Sequence, residues 1–164
     1  MSVFVPGDGE GRNGVWLAQQ GMDVLTLDLS DVAIAKARRL AESRGVRIDA
    51  RQGDLRAWEW PRDRFDVVAS LFVHFDEPMR REIHRRMLAS LRPGGLLIIE
   101  GFHPDRFGPE EAGTPQRHFT VERLREDFRE AEVLELEQAR VMLSEGRMHV
   151  GEAAVVHGIF RRPL

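Results

Sequence analysis

The sequence predicts a doubly wound α/β fold, with one mostly parallel sheet of seven strands that ends in an antiparallel hairpin. Two observations support this prediction. Over residues 2–100, short apolar segments with strand character alternate with helix-like segments, which is the pattern of parallel strands joined by crossover helices. Near the end of the chain, two strand-like segments are separated only by a turn at 144–147, which implies that they run antiparallel.

The elements follow one another in regular order. Predicted strands cover 2–6, 23–28, 46–50, 65–71, 96–100, 132–143 and 152–162, and predicted helices cover 12–20, 31–44, 79–91 and 120–130. Ser30 or Asp31 is the expected N-cap of the second helix, and Gly45 ends it. Arg92-Pro93-Gly94-Gly95 breaks the third helix before the fifth strand. Residues 102–118 are predicted to form a loop.

Composition restricts the function classes. The 164 residues predict a single domain, 1–164, and the net charge of −3 with scattered basic residues predicts no nucleic-acid partner. The chain has no cysteine, which excludes disulfides and cysteine zinc sites, and its histidines show no metal-binding spacing, so no metal is predicted. No apolar run reaches the roughly 20 residues of a membrane span, and no signal peptide is visible. We therefore expect a cytoplasmic protein with no membrane partner.

The strongest local signal is a glycine-rich turn between the first two strands, as in the nucleotide-binding half of a Rossmann-like fold. Residues 9–14 match G-x-G-x-x-G, and Asp28 ends the second strand, where a carboxylate can accept hydrogen bonds from two ribose hydroxyls. Two adenosine-bearing cofactors compete for this turn. Asp8 and Glu10 would repel the pyrophosphate of NAD, whereas the sulfonium and ammonium of S-adenosylmethionine tolerate carboxylates, which favours the latter. If Glu10 faces solvent instead, the repulsion is smaller.

Five motifs in order resemble those of the class I S-adenosylmethionine-dependent methyltransferases, over nearly the whole chain. They are the glycine loop Gly7-Asp8-Gly9-Glu10-Gly11, the ribose-binding acid Asp28, Gly53-Asp54-Leu55 beside the adenine, Phe65-Asp66-Val67-Val68 followed by Ser70, and the turn Leu91-Arg92-Pro93-Gly94-Gly95. Within that superfamily, the chain is most similar to the tellurite-resistance branch. That similarity is carried by residues 9–13, His74-Phe75 before a basic helix, and residues 145–149.

The resemblance implies a site and a reaction. The cofactor would be S-adenosylmethionine, leaving as S-adenosylhomocysteine, with a small-molecule acceptor as partner. The implied cofactor contacts are Gly7, Asp8, Gly9, Gly11, Arg12, Asn13, Asp28, Leu29, Asp54, Leu55 and Ser70. His74 is the candidate catalytic base, with a hydrogen-bonded loop histidine as the alternative, and Arg147 with His149 could contact an anionic acceptor. Trp58 and Trp60 are expected to pack or form a rim, and Arg80-Arg81 and Arg85-Arg86 to lie on a solvated helix face.

Two departures from the family pattern keep other functions open. Val5 stands where the family usually places an acid, and the helices that usually precede the first strand are missing from this sequence. These departures favour, as an alternative, a nucleoside-binding module without turnover, and apolar surface left uncovered could support a homo-oligomer. A nicotinamide-dependent oxidoreductase is a third hypothesis. It is disfavoured because the chain has no tyrosine and its one lysine, Lys36, lies on a helix.

Overall fold

The computed structural model describes residues 1–105, 117–145 and 149–164. Within them, seven strands form one sheet in the order β3-β2-β1-β4-β5-β7-β6. The strands are β1 (Ser2–Pro6), β2 (Asp23–Asp28), β3 (Asp49–Gln52), β4 (Phe65–Leu71), β5 (Leu91–Phe102), β6 (Glu132–Glu145) and β7 (His149–Arg161). The helices are α1 (Arg12–Gln19), α2 (Asp31–Ser43), α3 (Met79–Ser90) and α4 (Val121–Asp127).

The predicted fold class is confirmed. Strands β1 to β5 pair in parallel, and β7 pairs antiparallel with both β5 and β6. The order reverses between β1 and β4, so the loops that follow β1, β2, β3 and β4 meet at one edge of the sheet. In open α/β sheets this switch point is where ligands bind.

Two predicted boundaries were wrong for identifiable reasons. The third strand was predicted at 46–50, but β3 spans Asp49–Gln52, three of whose four residues are exposed. It is an edge strand that is held by backbone pairing with β2, so its side chains need not be apolar. The apolar residues on which the prediction relied lie mostly just before it. The fifth strand begins at Leu91 rather than at residue 96, because Leu91 already pairs with Phe65. The predicted turn survives inside it as a bulge, with Gly94 at φ +78°.

The sheet is covered on both faces by apolar side chains. On one face, α1 packs against a small cluster that includes Val3, Val5 and Val24. On the other face, α3 and α4 cover the main core, whose large members include Phe4, Ile99 and Phe160. Val5, which stands at the family's acidic position, is therefore an ordinary core residue with 1% of its surface exposed. No helix within the described ranges is both long and apolar enough to cross a membrane.

Candidate functional site

A cavity of about 450 Å³ opens at the carboxyl ends of β1 to β4. Its walls include six of the predicted site residues: Gly7, Asp28, Leu29, Asp54, Leu55 and His74. They also include Gly53 and Phe75, which belong to motifs quoted above, and four residues that the sequence did not single out: Arg56, Asp76, Met79 and Arg117. The remaining predicted residues, namely Asp8, Gly9, Gly11, Arg12, Asn13 and Ser70, lie outside the lining of this cavity.

The glycine loop is shaped by close packing. Gly7 has φ +64°, and a Cβ at this position would lie 2.7 Å from Cγ2 of Val73. Gly11 has φ +84°, and its Cβ would lie 2.6 Å from the Cβ of Ala37 on α2. Both positions combine a left-handed backbone with a lack of space, so only glycine fits. The loop can thus turn from β1 into α1 directly above the edge of the sheet.

Asp28 is fixed at the cavity wall by the backbone. Its Oδ2 accepts a hydrogen bond from the Gly9 N–H at 2.9 Å, and its Oδ1 accepts one from the Ser30 N–H at 2.9 Å. Each carboxylate oxygen keeps a further lone pair. The residue can therefore accept two more hydrogen bonds side by side, as a ribose diol requires. Since the Gly9 N–H already binds Asp28, it cannot also bind a pyrophosphate in this arrangement.

Asp8 was expected to contact the cofactor, but its side chain turns away from the cavity. Its Oδ2 accepts a hydrogen bond from the Gly14 N–H at 3.0 Å, at the start of α1, and its Oδ1 is buried without a partner. Burial raises the pKa of Asp8 to about 6, against the opposing effect of hydrogen bonds from Gly14 and Asn13. In this position Asp8 ties the glycine loop to the first turn of α1.

The side chain of Glu10 also points away from the cavity. It is exposed, and its Oε1 lies 2.5 Å from Nζ of Lys36 on α2. The alternative that Glu10 faces solvent is therefore correct, and its charge says little about phosphate. Arg12 and Asn13 are exposed on the first turn of α1. No contact in the structure tests their predicted role, which stays a prediction.

Asp54 lies in the cavity wall, where Arg56 holds its carboxylate. Oδ1 accepts hydrogen bonds from the backbone N–H and the Nε of Arg56, both at 2.9 Å, and Oδ2 accepts from Nε at 2.9 Å and from Nη2 at 2.6 Å. These hydrogen bonds from Arg56 lower the pKa of Asp54. Leu55, which follows it, is 8% exposed and forms part of the apolar floor.

Ser70 lies beneath the cavity rather than in its wall. It is 1% exposed, and its Oγ is buried without a hydrogen-bond partner. Along β4 it alternates with Ala69 and lies on the same face as Val68, which packs in the main core. Its predicted contact with the cofactor stays a prediction.

His74 lies in the cavity wall, but both of its ring nitrogens bind the backbone. Nε2 accepts a hydrogen bond from the Phe102 N–H at 3.3 Å, so in the neutral ring the proton is on Nδ1 and is donated to the Arg117 carbonyl at 3.0 Å. The ring also contacts Phe119, with 4.8 Å between ring centroids. This geometry favours the hydrogen-bonded alternative, and a catalytic base at His74 would require breaking one of these bonds.

Beyond His74, the wall of the cavity combines apolar and charged groups. Phe75 and Met79 supply the apolar part. Arg117 forms a two-pronged ion pair with Asp76, with Nε at 2.9 Å from Oδ1 and Nη2 at 2.7 Å from Oδ2. Sequence reasoning missed this pair because its members are 41 positions apart and lie in loops. It neutralises both charges at the mouth of the cavity.

Arg80 was expected on a solvated helix face, and this prediction was wrong. The side chain is 2% exposed, and its Nε lies 2.7 Å from Oδ2 of Asp127, which is itself buried at the end of α4. The same oxygen lies 2.8 Å from Nδ1 of His84. Burial lowers the pKa of His84, although the hydrogen bond to Asp127 acts the other way. This buried cluster joins α3 to α4.

One group of ligand-type side chains converges away from the cavity. On the β6–β7 hairpin, Nε2 of His157 lies 3.0 Å from Oε1 of Glu135 and 3.2 Å from Oε1 of Glu137. The sequence shows only a Glu-x-Glu pair on a predicted strand, and the register with β7 adds the histidine. Arg147 and the side chain of His149 lie outside the described residues, so their predicted anion contact stays a prediction.

Comparisons with known proteins identify the family of this chain. A family model described as a methyltransferase domain matches residues 3–95. A curated relative, the ubiquinone biosynthesis O-methyltransferase of Paramagnetospirillum magneticum, is 32% identical over 98 residues. That match covers 60% of this chain and 39% of the relative, so the chain spans less than half the length of the curated protein it matches.

Solved structures share the fold. A methyltransferase structure from Methanosarcina mazei aligns with a TM-score of 0.81 at 17% identity, covering 99% of this chain and 92% of that one. TehB from Haemophilus influenzae aligns with a TM-score of 0.78 at 21% identity, covering 98% of this chain and 57% of that one. Because the family model matches more than half of this chain, the chain belongs to the class I S-adenosylmethionine-dependent methyltransferase family.

Proposed function

We propose that this chain binds S-adenosylmethionine in the 450 Å³ cavity and transfers its methyl group to a small-molecule acceptor. Family membership supports the reaction, and the geometry of Asp28 supports the cofactor. When bound, the cofactor supplies an electrophilic methyl group on a sulfonium. The protein's contribution is to position the reactants and to exclude water.

The proposal depends most on the geometry of the Asp28 carboxylate. Its carboxylate is oriented by two backbone N–H groups and keeps two acceptor positions for a ribose. Leu55 and Leu29 offer apolar surface beside it for the adenine ring. NAD also carries an adenosine, but its pyrophosphate needs free N–H groups at the start of the helix. Asp8 and Asp28 already accept hydrogen bonds from Gly14 and Gly9 there.

The acceptor we propose is a soft or readily ionised nucleophile, such as a thiol or an oxyanion. His74 uses both ring nitrogens in backbone hydrogen bonds, so it is not available as a base while the wall is intact. A nucleophile that is already ionised near neutral pH needs little help from a base. The apolar surface of Phe75 and Met79 provides a place for its carbon skeleton.

Calorimetric titration tests the cofactor proposal. Wild-type chain and the variant Asp28→Asn are titrated with S-adenosylmethionine, S-adenosylhomocysteine and NAD, with Asp31→Asn as the matched control outside the cavity. We expect micromolar binding of the two sulfur nucleosides, at least tenfold weaker binding in Asp28→Asn, and no change in Asp31→Asn. Tight binding of NAD without binding of either sulfur nucleoside would overturn the proposal in favour of an oxidoreductase.

A second candidate function is a nucleoside-binding module that does not turn over. The buried Val5 at the family's acidic position and the pairing of Asp54 with Arg56 favour it. Transfer of a labelled methyl group to a panel of thiols, oxyanions and phenols separates the two functions. Binding of S-adenosylhomocysteine with no transfer to any acceptor class would support the module, and label transfer would exclude it.

A further inference from the structure

Arginines that are scattered along the sequence meet in a groove on the outer side of the cofactor cavity. The groove has a volume of about 340 Å³ and lies between the segment 56–62 and α3. Four guanidinium groups and two indole rings contribute to its walls: Arg56, Arg62, Arg85, Arg86, Trp58 and Trp60. No acidic residue of the described chain lines it. We refer to this feature as the arginine groove.

The positive charge of the arginine groove is only partly neutralised. Glu82 is shared, since it accepts hydrogen bonds from both Arg85 and Arg86 at distances of 2.8 to 3.1 Å. Arg56 is paired with Asp54. Four guanidinium groups therefore share two carboxylates.

Arg62 is the guanidinium most available to a ligand. It is exposed, and within the part of the chain that the structure describes it forms no ion pair. Arg85 is also accessible, with 66% of its side chain exposed. Exposed ion pairs such as Arg85–Glu82 are weak, so a stronger anion can replace the carboxylate.

The groove is preformed by a contact between its two walls. Nη1 of Arg86 on α3 donates a hydrogen bond to the Arg56 carbonyl at 3.0 Å. The indole of Trp60 is fixed by a hydrogen bond, because its Nε1 donates to the Leu55 carbonyl at 2.9 Å. The ring of Trp58 packs against Phe4 in the main core, with 4.9 Å between centroids. The indoles therefore form an apolar floor beneath the guanidinium groups.

We propose that the arginine groove binds a small phosphate-bearing anion. Guanidinium groups match the oxygens of phosphate through paired hydrogen bonds, and they do so more specifically than an ammonium can. The tryptophan floor suits the flat or apolar body to which such a phosphate is attached. The positive surface continues into an adjoining groove that is lined by Arg62, Arg85 and Arg162 and also by the acidic Glu130. This carboxylate and the net charge of −3 favour a small anion over a nucleic acid.

Tryptophan fluorescence provides a direct test that uses no methyl donor, so it is independent of the proposed function. Trp16 is 58% exposed and lies outside the groove, so the variant Trp16→Phe leaves Trp58 and Trp60 as the reporters. Titration with inorganic pyrophosphate at fixed ionic strength should give a saturable change in emission. The double variant Arg62→Gln/Arg85→Gln should weaken binding at least tenfold, and Arg62→Gln alone by severalfold.

The matched control is Arg129→Gln/Arg140→Gln, which removes two exposed arginines that lie outside the arginine groove. We expect this variant to bind pyrophosphate like the parent chain. Equal weakening in both double variants, or no saturable binding, would overturn the proposal. Binding of a thymidine 20-mer far tighter than binding of pyrophosphate would also overturn it, in favour of a nucleic-acid surface. Since Arg62 forms no ion pair in the described chain, its single variant remains informative if the double variant folds poorly.

Discussion

Arg56 holds the Asp54 carboxylate with three N–H groups, those of its backbone, Nε and Nη2, in four contacts of 2.6 to 2.9 Å. A carboxylate offers about four lone-pair sites, so these donors occupy most of them. A hydrogen bond from the adenine, the contact predicted for Asp54, would therefore compete with Arg56 for the same oxygens. The two residues form a self-contained pair at the cavity wall rather than an open acceptor.

The variant Arg56→Ala should bind S-adenosylhomocysteine three- to tenfold more tightly than the parent chain, because it frees Asp54 to accept the adenine amino group. Calorimetry measures the change. The matched control is Arg51→Ala, since Arg51 holds Asp49 in the same two-pronged geometry outside the cavity. Weaker binding in Arg56→Ala would instead mean that Arg56 itself contacts the ligand.

The variant Asp8→Asn should stabilise the fold above pH 6. The folded-state pKa of Asp8 is raised to about 6 from 3.8. Stability from this group is therefore full below pH 3.8 and is lost as the pH rises through 6, a difference of about 3 kcal/mol. Asparagine can still accept the Gly14 N–H without the charge. In urea unfolding, the advantage of the variant should grow by about 1 to 1.5 kcal/mol between pH 5 and pH 8. An advantage that does not change with pH would contradict this origin.

Removal of Asp127 should be among the most damaging single changes in the chain. The variant Asp127→Asn leaves the buried guanidinium of Arg80 with only the longer ion pair to the exposed side chain of Glu77, at 3.8 Å. Breaking a buried ion pair in this way costs about 3 to 5 kcal/mol. Thermal or urea unfolding measures the loss. The exposed cross-strand pair Arg140–Glu152 provides the control, because Glu152→Gln should cost less than about 1 kcal/mol. Similar losses in both variants would show that the buried cluster contributes no more than a surface pair.

The variant His74→Phe tests whether His74 positions the cavity wall or acts as the catalytic base. Phenylalanine keeps a ring against Phe119 but removes both backbone hydrogen bonds, which should cost about 1 to 3 kcal/mol of stability. For a positioning role, the remaining methyl transfer should keep the pH profile of the parent chain. Loss of a pH-dependent limb together with a hundredfold or larger fall in kcat would identify His74 as the base.

The parts of the site that follow local rules could be predicted from the sequence. Gly7 and Gly11 have the positive φ that the turn requires, and Asp28 ends β2 at the cavity wall, so the path of the chain here follows from consecutive strand, turn and helix signals. Their contacts with a cofactor stay predictions. The sequence shows that Asp8 places a carboxylate in the turn, but not which way its side chain points. In the structure the carboxylate binds the Gly14 N–H. The predicted contact of Asp8 with the cofactor stays a prediction.

The contacts that could not be predicted are long-range. A run such as Arg80-Arg81 looks solvated from helical periodicity alone, because its buried partner Asp127 is 47 positions away. The arginine groove was hidden for the same reason: Arg56 and Arg62 precede β4, whereas Arg85 and Arg86 follow it. Scattered charges along a chain exclude a basic run, but they do not exclude a basic surface.

Arg56 lines both the cofactor cavity and the arginine groove, and this shared position has a thermodynamic consequence. Any occupant of the groove that engages the Arg56 guanidinium withdraws it from Asp54 and so changes the free energy of filling the cavity. Linkage makes the effect reciprocal: the factor by which a groove anion alters nucleoside affinity equals the factor by which the nucleoside alters anion affinity. Through this one side chain, binding in the groove and binding in the cavity can each change the affinity of the other.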